Sequence, residues 1–133
     1  MQPYYLDRPL VMAHRGARDV APENTVAAFR AAVDLGADAV ELDITRCASG
    51  DIVVIHDDTV DRTSNGSGRA DSLTWDALRE LDAGSWFDPR FAGEPLPLLD
   101  DVLDAVGGLI RFNIEIKHQR TGMQPVEQEL ADK

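Results

Sequence analysis

The polar residues of this 133-residue sequence that could do chemistry sit at the ends of short apolar runs. Glu41 and Asp43 lie two apart in Ala37-Asp38-Ala39-Val40-Glu41-Leu42-Asp43-Ile44. On a strand they share one face, and Val40, Leu42 and Ile44 take the other. The pattern repeats near the end of the chain, where Arg111, Asn113, Glu115 and Lys117 alternate with Phe112, Ile114 and Ile116. Brought together, Glu41, Asp43 and Glu115 make a hard oxygen site suited to Mg²⁺ or Ca²⁺, and only geometry chooses between the two. His14 and His56 each close a strand-like run, and paired imidazoles suit general acid and base work near neutral pH. Arg15 and Lys117 add positive charge for an anion, the first as a planar fork and the second as a point charge. A serine elbow, a P-loop and a dinucleotide-binding glycine motif are all missing, which argues against a serine hydrolase, an NTPase or a Rossmann enzyme.

Elements must position these groups. Leu10–Ala13, Ala37–Val40, Ile52–Ile55 and Leu109–Ile114 are near-continuous apolar runs that predict buried, mainly parallel strands. Between them, Asn24 or Thr25 can cap a helix bearing Val26, Phe29 and Val33, stopped at Gly36. Thr74 can cap a short helix through Trp75 and Leu78, and Leu99, Val102, Leu103 and Val106 mark another, closed by Gly107-Gly108. Val126–Ala131 can begin a fourth. The link from Thr45 to Asp51 is too short for a helical crossover. It either returns as an irregular extended link or turns as a hairpin at Ser49-Gly50. The stretch from Asp57 to Pro97 has the opposite character: it is too long to be slack, opens on Thr63-Ser64-Asn65-Gly66-Ser67-Gly68, and reads as a lid or small subdomain. The polar strand faces fit two architectures. In an antiparallel sandwich they are solvated. In an α/β barrel they point inward and crowd charge at the strand C-termini, where barrel active sites lie.

Composition narrows the functional classes. Thirteen Lys and Arg stand against 24 Asp and Glu, a net charge of −11. Such a chain is a poor generic binder of nucleic acid or anionic membranes, and phosphate chemistry on it needs a local cation. One cysteine, Cys47, excludes an internal disulfide framework and fits a reducing compartment. No run suits a membrane span or a secretory signal, so a cytoplasmic location is expected. Cys47 reads as an incidental thiol, His118 as facing away from its neighbour Lys117, and Asp57 and Asp58 as the start of a loop.

Taken in order, His14-Arg15-Gly16, Pro22-Glu23-Asn24-Thr25, Gly36-Ala37-Asp38 leading to Glu41-Leu42-Asp43, His56-Asp57 with Arg62-Thr63, and Ile114-Glu115-Ile116-Lys117 resemble the glycerophosphodiester phosphodiesterases. Single motifs of this kind are weak, but five in register over residues 10 to 117 are specific. The resemblance implies a phospholipase-C-like TIM-type (β/α) barrel with an insertion after the third strand, where residues 57–97 fall. It implies metal-dependent hydrolysis of glycerophosphodiesters to glycerol 3-phosphate and an alcohol. By position, His14 and His56 correspond to the acid/base pair, Glu41, Asp43 and Glu115 to the metal ligands, and Arg15 and Lys117 to positions near the phosphate. Glu23 and Asn24 match the family motif, as contact residues or as a helix cap. Leu98 departs from the family, which often has a threonine there able to cap the next helix.

A complete barrel needs eight strands and about 250 residues, so residues 1–133 are expected to form its N-terminal half, about four strands. Self-association or a C-terminal half would then complete the barrel. The alternative is a truncated, inactive half-barrel acting as a metal-binding or interaction module. A phospholipase-D-like toxin of the same superfamily would carry a secretory character that this sequence lacks.

Overall fold

A computed structural model describes residues 8–117 and 126–133, and its centre is one strand, β2 (Ala39–Arg46), buried at every position. Its order of elements is β1 (Met12–His14), α1 (Val26–Asp34), β2, β3 (Ile52–Val54), α2 (Trp75–Leu78), α3 (Leu99–Val106), β4 (Arg111–Ile116) and α4 (Val126–Ala131), with 3-10 turns at Ala70–Ser72 and Pro89–Phe91. Four strands form one sheet. β4 lies parallel along β2, from Ala39 opposite Arg111 to Ile44 opposite Ile116. The other edge of β2 is shared. β1 pairs in parallel with Ala39–Glu41, and β3 pairs antiparallel with Ile44–Arg46.

The short link is therefore a hairpin. The Cys47 N–H donates to the Asp51 carbonyl at 2.9 Å, and Gly50 takes φ +97°, a conformation that suits glycine at a tight turn. The expectation of mainly parallel strands holds for β1, β2 and β4, and β3 is the exception. Seven residues suffice to reverse a strand but not to carry a parallel crossover.

Two apolar clusters hold the elements. In the first, Val40, Leu42 and Ile44 of β2 pack with Phe29 and Ala32 of α1 and with Leu99, Val102 and Val106 of α3. Phe112, Ile114 and Ile116 of β4 join them, so the apolar strand face meets the helices as the alternation requires. The second cluster lies beneath residues 57–97, where Val53, Ile55, Val60, Ala70, Leu78 and Leu96 pack together with Trp75. The other tryptophan, Trp86, is part-exposed and stands edge-on to Phe87 at 5.9 Å.

Caps follow the sequence with one refinement. Thr25, not Asn24, caps α1, its Oγ1 accepting the Ala28 N–H at 3.2 Å. Thr74 caps α2 by accepting the Ala77 N–H. At α3, Leu98 offers no cap, and Asp101 supplies the reciprocal half by accepting the Leu98 N–H at 2.9 Å. His118 lies outside the described residues.

Gly16 is a backbone requirement. It takes φ +82°, and a Cβ there would stand 2.8 Å from Ala28 Cβ and 2.9 Å from the Ala28 carbonyl carbon. Gly16→Ala is expected to cost about 1–3 kcal/mol through overpacking and left-handed strain, visible as a lower urea midpoint at unchanged slope.

Candidate active site

β1 and β3 converge head-on along one edge of β2. β1 leaves its partner as the Arg15 N–H reaches the Glu41 carbonyl, and β3 leaves as the Ile55 N–H reaches the Asp43 carbonyl, each at 2.9 Å. Only Leu42 separates the two departures, so both chains must turn off the sheet there. His14 and His56 are thereby carried to Glu41 and Asp43 from opposite directions. On the far edge, Asn113 lies opposite Glu41 and Glu115 opposite Asp43, which puts the third carboxylate on the same face.

The three carboxylates each offer an oxygen, all within 4.8 Å of one another, an arrangement able to hold a metal ion. Glu41 and Asp43 are buried, Asp43 completely. Two adjacent buried carboxylates cannot both carry charge cheaply. Burial, reinforced by the hydrogen bond and charge of Asp43, pushes the Glu41 carboxyl up to about 7. Burial works on Asp43 in the same direction, but the hydrogen bonds from the Asn24 amide and Glu41 and the charge of Lys117 outweigh it and hold its carboxyl below the usual range. Asn24 Nδ2 donates to Asp43 Oδ2 at 3.0 Å. Arg15 Nε stands 3.8 Å from the same oxygen, and Lys117 Nζ is 3.5 Å from Asp43 Oδ1 and 3.1 Å from Glu115.

Among the described residues, four buried side-chain polar atoms lack a hydrogen bond: Glu41 Oε1, Asp43 Oδ1, Asn24 Oδ1 and Arg15 Nε. All belong to this cluster. Stranded buried acceptors are costly, and a hard cation would satisfy the oxygens among them. The residues present fit a divalent cation.

His14 Nε2 lies 3.5 Å from Glu41 Oε2, with about half its side chain exposed. Its partial burial and the neighbouring Arg15 and Arg18 charges lower its pKa, which favours the neutral ring. His56 Nδ1 lies 2.9 Å from Asp57 Oδ1.

The contacts of several site residues go beyond what their motifs show. Asp57 does more than start a loop: it partners His56 and is gripped by Arg62 through Nε and Nη2 at 2.9 and 3.0 Å. The Arg62 hydrogen bonds, against a lesser opposing effect of burial, pull the Asp57 carboxyl down to about 2. Arg62 also holds Glu23 through Nη1 and Nη2 at 2.9 and 3.0 Å, and Glu23 in turn accepts from Arg15 Nη1 at 3.2 Å. Arg15 and Asn24 both adopt left-handed backbone, at φ 60° and 55°, and the Asn24 N–H donates to the Arg15 carbonyl at 2.9 Å. Non-glycine residues so held cost of order 1–3 kcal/mol each and cluster at functional sites.

The fold and this cluster define a (β/α)-barrel type of protein, present here as about half a barrel, with an acidic, cation-ready floor flanked by two histidines at the strand ends. The family model described as the glycerophosphoryl diester phosphodiesterase family matches residues 14–133, and the chain belongs to that family. A glycerophosphodiester phosphodiesterase of Caldanaerobacter subterraneus is 49% identical over 111 residues, 83% of this chain and 46% of the relative. A crystal structure of glycerophosphodiester phosphodiesterase from Agrobacterium tumefaciens superimposes with a TM-score of 0.81 at 44% identity, covering 84% of this chain and 48% of that one. A phosphodiesterase of Oleispira antarctica, solved in complex with the product sn-glycerol-3-phosphate, gives the same TM-score at 35% identity over 86% and 46%. The chain spans about half the length of the relatives it matches.

Proposed function

We propose that this chain carries the cation-binding and acid/base residues of a phosphodiesterase that hydrolyses glycerophosphodiesters to glycerol 3-phosphate and an alcohol. The observation that carries the reading is the trio Glu41, Asp43 and Glu115 with its stranded buried oxygens, set beside two histidines. Glu41, Asp43 and Glu115 would hold Mg²⁺ or Ca²⁺, whose bound charge supports negative charge on the phosphodiester oxygens. Arg15 and Lys117 face the same anion with their own charge. The neutral ring of His14 suits it to accept the proton of the attacking hydroxyl, from water or from the glycerol of the substrate. That oxygen forms the new bond to phosphorus as the bond to the alcohol breaks. His56, entering the step as the imidazolium, gives its Nε2 proton to the departing alcohol and is left neutral, while His14 is left protonated.

Residues 57–97 act as a lid in this reading and help to choose the alcohol. The free cysteine, Cys47, is buried, in keeping with a cytoplasmic location. Among the described residues no helix is long and apolar enough to cross a membrane.

One observation favours a second reading, an inactive half-barrel that serves as a metal-binding or interaction module. A groove of about 490 Å³ runs beside β1 and α1, and Val11, Val20 and Leu35 on it are exposed at 58%, 47% and 69%. A closed barrel has no such edge. Incubation with glycerophosphocholine and Mg²⁺ or Ca²⁺ separates the two readings. Release of glycerol 3-phosphate supports the enzyme, and no turnover by a folded, monodisperse sample supports the module.

A further inference from the structure

We propose that Arg62 is a positioning residue, clamping Asp57 and Glu23 together so that His56 presents Nε2 to the site and Arg15 keeps its orientation. The inference rests on the reading of His56 as an acid/base group, and its geometry is independent of any cation. The guanidinium is used on two sides. Its Nε–Nη2 side grips Asp57, and its Nη1–Nη2 end grips Glu23, with all four distances between 2.9 and 3.0 Å. Paired, parallel contacts of this kind fix orientation as well as charge.

The consequence for His56 is chemical. Asp57 stays ionised beside Arg62, and an ionised carboxylate can only accept hydrogen bonds. Its Oδ1 stands 2.9 Å from His56 Nδ1, so Nδ1 keeps its proton in the neutral ring, and the further proton that the imidazolium gives as an acid sits on Nε2. On the other side, Glu23 is buried and would be a costly lone charge. Two arginines neutralise it, Arg62 from the segment after the hairpin and Arg15 from the turn after β1. Glu23 thus ties the Arg15 turn to the His56 turn across the two strands that meet there.

The test reads the tautomer directly. Long-range ¹H–¹⁵N correlations of the imidazole rings are recorded on the ¹⁵N-labelled 133-residue chain at about pH 9, where histidine is neutral, with His56→Gln to assign the ring. The Nδ1–H form of His56 is expected to exceed the Nε2–H form by about tenfold or more. Asp57→Ala should remove the preference, Arg62→Gln should reduce it several-fold, and Arg62→Lys, keeping a charge without the fork, should restore part of it. Dispersed backbone amide signals establish that each variant is folded. A wild-type ring in the Nε2–H form overturns the proposal. So does an Arg62→Gln spectrum identical to wild type. Turnover of glycerophosphocholine by the same samples separates the underlying reading: a shifted tautomer with unchanged turnover supports positioning by Arg62 and refutes the catalytic role of His56.

Discussion

Replacing His14 by alanine is expected to lower kcat for glycerophosphodiester hydrolysis by about 10²–10⁴-fold, the usual contribution of a positioned general base. Stability should change little. The side chain is half exposed and its close polar neighbour is Glu41, 3.5 Å away, so no cavity opens and no buried donor is orphaned. His56→Ala should lose a similar factor with an alkyl alcohol as leaving group, but its deficit should shrink with a p-nitrophenol leaving group. Nitrophenolate departs without a proton, so a missing acid is bypassed and a missing base is not. Steady-state rates of both variants on both substrates check the assignment. If His14→Ala is the variant rescued by the better leaving group, the two roles are reversed.

The second large effect lies in the coupling of cation, pH and stability. Glu41 has its carboxyl raised from 4.5 to about 7 by burial and by Asp43. Between those values the cation-free folded chain binds a proton at Glu41 that the unfolded chain does not. Unfolding stability therefore falls as pH rises through that window. Asp43 is shifted the other way, and its contribution is lost only as pH falls below the ordinary carboxylate range. A cation in the trio favours the ionised form of Glu41 and removes this slope, because its binding expels the proton. Thermal melts at pH 5 and pH 8 should show a gain on adding Ca²⁺ or Mg²⁺ that grows with pH. At about 100 times Kd the gain is about 2.7 kcal/mol. Glu41→Gln should flatten the cation-free slope, and Asp43→Ala should abolish the gain. Chelator should abolish turnover and return the melt to its cation-free value.

The trio was readable from sequence because strands have a period of two. Glu41, Asp43 and Glu115 each alternate with apolar neighbours, and that alone puts them on the face away from the helices. The helices were readable from Thr25, Thr74 and the apolar spacing of Leu99, Val102 and Val106. The convergence of the histidines was not. It depends on β3 running antiparallel, and Thr45–Asp51 has a length and composition that also suit an extended return. Nor was the choice between Asn24 and Thr25 as cap decidable, since both side chains can accept from the helix. The left-handed φ of Asn24 and its bond to Asp43 settle that choice. The pairing of Arg62 with Asp57 and Glu23 was hidden for another reason. Their positions in the chain say nothing of a shared guanidinium, because the pairing of Arg62 with Glu23 spans 39 residues. The motif Arg62-Thr63 was a signal without a partner until the fold supplied one.

Calorimetric titration of the 133-residue chain with Ca²⁺ and with Mg²⁺ at pH 8 is the most direct test of the cation site on which the proposed chemistry depends. One cation should bind per chain, with heat lost in Asp43→Ala and proton release that grows as the pH is lowered toward 7. A folded wild-type chain that takes up neither cation, or takes it up equally well without Asp43, would contradict the assignment of Glu41, Asp43 and Glu115.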